Sequence, residues 1–119
     1  MRIIVTGGRG YGDAGTVERA LRGHLPGPHT IVHGGAPGAD RLAHSVARGL
    51  DWEVEPHPAD WERHGRAAGL IRNQGMADMG ADLCLAFPGG RGTADMVARA
   101  EAARIPVRRV PPREETPHA

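Results

Sequence analysis

The 119-residue chain contains no lysine, one cysteine and few aromatic residues. Without lysine it cannot form the G-x-x-x-x-G-K-[ST] phosphate loop, so P-loop chemistry is excluded. The lone cysteine, Cys84, excludes an internal disulfide, and its apolar neighbours over residues 82–87 predict an inert buried thiol. Aromatic residues make up 3% of the chain. That is too few for the stacking platform with which proteins bind single-stranded nucleic acid.

Long hydrophobic runs and an excess of charge are also missing. No apolar run approaches the roughly 20 residues that span a membrane, and the N-terminal segment lacks the hydrophobic stretch of a signal peptide. We therefore expect a cytoplasmic protein. The formal net charge is +1, from 15 basic and 14 acidic residues. Duplex-binding proteins usually have a strong basic excess, so this balance disfavours nucleic acid as a partner but leaves room for a small anionic ligand.

Short apolar runs alternate with helix-like stretches along the chain. Apolar runs predict strands over residues 2–6, 29–33, 52–55, 83–87 and 107–110, and amphipathic spacing predicts helices over 16–24, 39–50, 70–79 and 94–104. This alternation predicts an α/β fold, namely a Rossmann-like, doubly wound, mainly parallel five-stranded sheet with helices on both faces. Residues 1–110 form the predicted domain. Residues 111–119 begin with tandem prolines and lack an apolar period, which predicts a disordered tail.

Three glycine-rich turns each follow a predicted strand and precede a predicted helix. They are TGGRG at residues 6–10, HGGAPGAD at 33–40 and FPGGRGT at 87–93. Such turns leave backbone N–H groups bare at a helix N-terminus, where the helix dipole also favours an anion. Because the carboxyl ends of parallel strands meet at one edge of a sheet, we expect the turns to share a crevice for a phosphate-bearing ligand.

The third turn is a far more specific motif than the literal G-x-G-x-x-G that the chain also contains. It holds three glycines, more than a plain helix cap needs, and Thr93 is placed to cap a helix that starts at Ala94. A literal G-x-G-x-x-G over residues 10–15 is less informative. It begins several residues after the first strand, and the second strand ends at His33 and Gly34 rather than at an acid for a ribose hydroxyl. Binding of NAD in the Rossmann manner is therefore disfavoured.

Several side chains near these turns are candidates for ligand contacts. Asp40 either binds a ribose hydroxyl or stabilises the start of its helix, and these two interpretations remain open. Arg72 is a candidate for a phosphate or a ribose, with Arg9 as a second anion contact. The polar segment over residues 56–69 predicts a long loop, of which residues 60–69 close over the ligand. Trp61 in this loop either stacks on a base or anchors the loop.

No metal site is predicted. The histidines at 33, 57 and 64 fit no compact ligand spacing, and the chain has neither C-x-x-C nor H-E-x-x-H. We expect no required cofactor, although Mg²⁺ can arrive with a nucleotide.

The motifs together resemble the SLOG superfamily, specifically its YspA-like branch of small bacterial and phage proteins. The resemblance runs from Arg2 to about Val110. Its matching pieces are VTGGR at 5–9, VHGGAPGAD at 32–40, HPADW at 57–61, HGRAAG at 64–69, IRN at 71–73 and residues 81–93. It implies a Rossmann-like fold that binds nucleotides or nucleotide-derived ligands. The superfamily also includes the Lonely Guy phosphoribohydrolases and the fold of DNA-processing protein A.

The similarity to Lonely Guy enzymes also suggests what this chain has lost. Their pattern places an arginine four residues before a methionine, followed by P-G-G-x-G-T-x-x-E. Here Arg72 and Met76 keep that spacing and residues 88–93 keep the loop, but the final glutamate falls on Met96. In those enzymes the arginine and the glutamate cleave the base from a nucleoside monophosphate, and methionine cannot replace an acid. Asp95 is one residue away and points about 100° off on a helix.

The resulting hypothesis is a nucleotide-binding or sensor domain that pairs as a homodimer. Its predicted ligand contacts are Thr6, Gly7, Gly8, Arg9, Gly34, Gly35, Asp40, Arg72, Asn73, Pro88, Gly89, Gly90, Gly92 and Thr93. The alternative is a nucleotide N-glycosidase or phosphoribohydrolase, for which Arg72, Asp60, His64 and Asp95 are the candidate catalytic residues. A third hypothesis, single-stranded DNA binding, is disfavoured by the charge balance and the few aromatics.

Overall fold

The computed structural model describes residues 1–112 and contains one five-stranded parallel sheet. The strands are β1 (Arg2–Thr6), β2 (Thr30–His33), β3 (Glu53–Pro56), β4 (Leu83–Ala86) and β5 (Val107–Arg109). They lie in the order β3-β2-β1-β4-β5, and every neighbouring pair is parallel. The predicted Rossmann-like α/β fold is therefore confirmed. The predicted tail lies outside the described residues from position 113 onward.

Helices cover both faces of the sheet. They are α1 (Ala14–Arg22), α2 (Ala39–Gly49), α3 (Trp61–His64), α4 (Ala68–Met79) and α5 (Arg91–Ala102), with a 3₁₀ turn over Gly65–Ala67. None of the helices in residues 1–112 is long and apolar enough to cross a membrane.

Alternate residues of β1 point into two separate hydrophobic cores. Ile3 and Val5 pack with α1 and α2, whereas Ile4 packs with Met76 of α4 and Met96 of α5. A parallel strand with both faces covered is apolar at every position, which explains the continuous run that opens the chain. Cys84 lies in the second core, where burial raises the pKa of its thiol to about 12.

Helix starts are the main differences from the sequence-based prediction. The helix predicted from Thr16 begins at Ala14, because the carboxylate of Asp13 accepts hydrogen bonds from Thr16 N and Oγ1 at 3.1 and 2.7 Å. α5 begins at Arg91 after the N-cap Gly90. The prediction that Thr93 caps a helix starting at Ala94 is therefore wrong, since Thr93 lies inside the first turn.

The predicted long loop over residues 56–69 contains more regular structure than expected. It includes α3, the 3₁₀ turn and the first residues of α4. Asp60 is the N-cap of α3, and its side chain accepts a hydrogen bond from Arg63 N at 3.0 Å. A four-residue polar helix has no apolar period, so the amphipathic pattern could not detect it.

Candidate ligand-binding site

A cavity of about 320 Å³ opens at the carboxyl ends of β1 and β4. β1 pairs on one side with β2, the next strand along the chain, and on the other side with β4. The strand order therefore reverses between β1 and β4, and the cavity lies at this point. This is where ligands bind in open α/β sheets. Its lining comes from the turns after β1, β2 and β4 and from α4, namely Val5, Thr6, Gly7, Gly8, Arg9, Ala36, Asp40, Arg72, Asn73, Met76, Gly90, Arg91, Gly92 and Thr93.

The three glycine turns contact one another directly through their backbones. Gly8 N donates to Pro88 O at 2.9 Å, and Gly8 O accepts from Ala39 N at 3.2 Å. A Cβ on Gly7 would lie 2.5 Å from the Cβ of Ala39 and 2.9 Å from that of Phe87. Gly38 has φ +80°, and a Cβ there would overlap Gly8 O. Part of the glycine requirement is therefore packing between the turns.

The turn after β2 is organised around two buried side chains. Asp40 Oδ2 accepts from Gly34 N at 3.0 Å and Ala36 N at 3.3 Å, and His33 Nδ1 accepts from Gly35 N at 2.9 Å. Burial raises the pKa of Asp40, and these hydrogen bonds oppose that rise. The N–H groups of Gly34 and Gly35 are thus bonded within the protein. The carboxylate shapes the turn while still lining the cavity.

Arg72 brings a half-buried positive charge from α4 to the cavity wall. Its Nε donates to Asn73 Oδ1 at 2.8 Å, and its Nη1 donates to Gly34 O and, at 3.5 Å, to His57 O. A Cβ on Gly34 would overlap the guanidinium, so this glycine makes room for Arg72. Among residues 1–112, Nη2 of Arg72 has no hydrogen-bond partner and the side chain forms no salt bridge. Burial lowers the pKa of Arg72, but arginine stays protonated.

Asn73 connects Arg72 with the start of α5. Besides accepting from Arg72, its amide donates from Nδ2 to Gly92 O at 3.3 Å and to Asp95 Oδ2 at 3.0 Å. The residue is buried. Its amide is therefore occupied by protein partners, and its contribution to the cavity is to fix the position of Arg72 relative to the third turn.

The first turn of α5 faces the cavity. Gly90, the N-cap, gives no side-chain hydrogen bond to the helix, and the first intrahelical bond joins Ala94 N to Gly90 O at 3.0 Å. The N–H groups of Arg91, Gly92 and Thr93 precede that bond, so they have no acceptor within the helix. All three residues line the cavity. The helix dipole adds a partial positive charge at the same place.

The remaining predicted ligand contacts lie beside the cavity. Gly34, Gly35, Pro88 and Gly89 belong to the same turns but do not line it. Gly89 is a close-packing position, because a Cβ there would lie 2.6 Å from Gly8 N. Arg91 and Met76, which line the cavity, were not predicted. Arg91 occupies the variable position of the P-G-G-x-G-T motif, and that position alone carries no signal for a ligand contact.

The candidate acids and bases lie outside the cavity lining. Asp60 caps α3, and His64 ends that helix. Asp95 Oδ2 accepts from Asn73 and, at 2.8 Å, from Arg99 Nε. Burial would raise the pKa of Asp95, but these hydrogen bonds outweigh it and the pKa lies below its usual value. Met96 is fully buried in the core under β1 and β4.

Metal ligands are not grouped in the described part of the chain. Residues 1–112 contain no cluster of three or more His, Cys, Asp or Glu side chains that could hold a metal ion. His33 Nε2 lies 2.9 Å from His44 Nδ1, but no other described residue completes a group of three ligands with this pair.

The fold and the cavity define a Rossmann-like α/β domain with a cationic cavity at the carboxyl edge of its sheet. Residues 1–64, which include the first two glycine turns, match the YspA, cpYpsA-related SLOG family. The chain is also similar to the gene 61 protein of Mycobacterium phage D29, at 46% identity over 116 residues that cover 89% of this chain and 93% of the phage protein. The chain therefore belongs to the YspA, cpYpsA-related SLOG family. Membership is consistent with binding or processing of a nucleotide-related ligand.

Proposed function

We propose that this protein binds a nucleotide or nucleotide-derived ligand and holds its phosphate between Arg72 and the first turn of α5. The observation that carries the proposal is the half-buried Arg72 guanidinium, whose Nη2 is unpartnered among the described residues. Burial disfavours the Arg72 charge, and the Asp40 carboxylate offsets only part of that effect, since the pKa of Arg72 is still lowered. A bound phosphate would stabilise the guanidinium further through charge-assisted hydrogen bonds.

The charges around the cavity favour an anion. Arg9, Arg72 and Arg91 line it, and the acidic residue in the lining is Asp40. The Asp40 carboxylate is buried and accepts two backbone hydrogen bonds, so its charge is spread over the turn after β2. The bare N–H groups at the start of α5 add donors at the place where the arginines add charge.

The size of the cavity favours a small molecule over a nucleic acid strand. About 320 Å³ lies at the lower end of the range for small-molecule sites. A single strand instead needs an extended basic groove with several stacking rings. We therefore favour a free nucleotide over single-stranded DNA as the ligand.

Binding is preferred to hydrolysis because the candidate residues Asp60, His64 and Asp95 lie outside the cavity lining. Asp95 is held by Asn73 and Arg99, and Asp60 caps α3. A general acid must come within hydrogen-bond reach of the leaving group. A phosphoribohydrolase would need Asp60 or Asp95 to leave its partners, or His64 to move to the cavity, when the ligand binds.

The test is to titrate the protein with AMP, NAD and ADP-ribose, with and without Mg²⁺, while following thermal unfolding and release of the base. A ligand at 100 times its dissociation constant stabilises the fold by about 2.7 kcal/mol. We expect stabilisation without base release for at least one compound, and its loss in Arg72→Ala. Arg48→Ala is the matched control, because Arg48 is an exposed arginine in the last turn of α2.

Two outcomes would contradict the proposal. Catalytic release of the base would make the protein a hydrolase. An unfolding temperature that does not change with any of the compounds would refute the nucleotide proposal. A nucleic acid or a protein partner would then be the next ligand to test.

Self-association is a further part of the proposal. Leu70, Ile71 and Met79 are exposed apolar side chains on α4. Exposed apolar side chains favour pairing with a second copy, since apolar groups gain from leaving water. Sedimentation equilibrium of the purified protein measures this directly, and we expect a dimer.

A further inference from the structure

Trp61 has an exposed indole ring and belongs to neither hydrophobic core. It is 51% exposed, whereas Trp52 is 4% exposed and belongs to the core between the sheet and α1 and α2. The other two rings, Tyr11 and Phe87, pack against each other with centroids 5.5 Å apart. A tryptophan that served only to anchor its segment would gain more by burying both faces of the ring.

The ring of Trp61 lies beside the arginines of the ligand cavity. The guanidinium carbon of Arg9 is 6.0 Å from the ring centroid. A Cβ built on Gly69 would lie 3.6 Å from Trp61 Cη2 and 3.8 Å from Arg72 Nη2. The indole and the Arg72 guanidinium therefore flank the same point on the first turn of α4. Arg9 and Arg72 both line the cavity, so Trp61, which does not itself line it, lies near two of the lining side chains.

We propose that Trp61 is the platform on which the base of the bound nucleotide stacks. This inference rests on the proposed function, in which Arg72 and the start of α5 hold the phosphate. With its phosphate at Arg72, the ligand can extend toward the exposed indole, because Trp61 Cη2 and Arg72 Nη2 both lie within 4 Å of one point at Gly69. The guanidinium of Arg9 lies over the ring at 6.0 Å, the outer limit of a cation–π contact, and Arg9 is exposed, so its side chain can move aside for a base on that face.

The proposal narrows the class of ligand. Stacking rewards a flat ring and accepts any base, because every base has a π face. A purine nucleotide should therefore bind more tightly than ribose 5-phosphate, which has the same phosphate but no ring. AMP and GMP should bind with similar affinities, since stacking alone does not distinguish the edges of their bases.

The experiment measures the dissociation constants of AMP, GMP and ribose 5-phosphate by calorimetry for the wild type, Trp61→Ala and Trp61→Phe. Removing a stacking ring costs roughly 5-fold to 100-fold in affinity. We expect Trp61→Ala to lose that factor for AMP and GMP, with ribose 5-phosphate unchanged. Trp61→Phe keeps a ring and should keep most of the affinity. AMP should also alter tryptophan fluorescence in the wild type but not in Trp61→Phe, where buried Trp52 is the only emitter.

The outcomes separate this inference from the proposed function. Equal losses for AMP and ribose 5-phosphate in Trp61→Ala would make Trp61 a structural support and overturn the platform. Wild-type protein that binds ribose 5-phosphate as tightly as AMP would overturn it too, while leaving the phosphate site in place. Wild-type protein that binds none of these three compounds, and neither NAD nor ADP-ribose, would refute the nucleotide site itself, and the platform with it.

Discussion

Nε of Arg72 donates to Oδ1 of its neighbour Asn73 at 2.8 Å. Asn73 in turn donates from Nδ2 to Gly92 O and Asp95 Oδ2, both at the start of α5. The orientation of the cationic group in the cavity therefore depends on the turn that is proposed to hold the phosphate. One buried amide thus connects the two halves of the proposed site.

Asn73→Asp should test this connection. The carboxylate can still accept from Arg72, but it cannot donate, and it faces the Asp95 carboxylate and the Gly92 carbonyl. We expect a loss of about 1–3 kcal/mol in the free energy of unfolding, because a buried polar network has lost its donor. Urea denaturation measures it. In Asn73→Asp with Asp95→Asn, a donor faces an acceptor again, so part of the loss should return. If Asn73→Asp were as stable as the wild type, the hydrogen bonds donated by the Asn73 amide would not contribute to the free energy of unfolding.

The sequence was most informative where the local residue types reflect a requirement of the backbone, such as a tight turn or a strand. The three glycine turns, the alternation of strand and helix, and Arg72 at the cavity were all predicted from local patterns. The turns lie together because parallel strands end at one edge of a sheet, which is a rule of topology and needs no side-chain detail.

Local sequence patterns could not predict which residues contact each other in the tertiary structure. Asp95 was a candidate acid, yet its carboxylate is held by Asn73, which lies 22 positions earlier on another helix. Asp60 was assigned to a closing loop, yet it caps a short helix. Gly34 was assigned to phosphate, and the absence of its side chain makes room for Arg72. The residue type determines which interactions a side chain can make, but the packing of the fold determines which neighbour it interacts with.

Gly34→Ala should displace Arg72 without removing it. The added methyl group would overlap the guanidinium, which must then leave Gly34 O. We expect a loss of AMP affinity close to that of Arg72→Ala, together with about 1–3 kcal/mol of destabilisation from overpacking. Gly12→Ala is the control, because a Cβ at Gly12 meets nothing within 4 Å. Calorimetric titration and urea denaturation provide the two readouts, and unchanged AMP affinity in Gly34→Ala would argue against the placement of Arg72.

His33 should make the stability of the protein sensitive to pH. Burial lowers its pKa to about 4, and the neighbouring His44, His57 and Arg72 add to this effect. The unfolded chain takes up a proton near pH 6.5, so the stabilising contribution of neutral His33 is complete above that pH and is lost as the pH falls toward 4. Between pH 7 and pH 5 we expect a loss of about 2 kcal/mol.

The measurement for His33 is urea denaturation at several pH values between 4 and 7, comparing the wild type with His33→Gln. The glutamine variant cannot titrate at this position, so its stability should fall less steeply over that window. Parallel pH profiles for the two proteins would assign the pH dependence to other groups.

Met96→Glu should not create a hydrolase, although it restores the acid of the Lonely Guy pattern. Met96 is fully buried among Ile4, Cys84 and Ala100 and does not line the cavity. A carboxyl group there would be buried without a partner, so we expect destabilisation of about 3 kcal/mol or more. Met96→Leu conserves volume and should cost less than about 1.5 kcal/mol. Urea denaturation measures both variants. Chromatographic assay of free adenine after incubation with AMP should detect no release by Met96→Glu, and release would mean that α5 can turn position 96 toward the ligand.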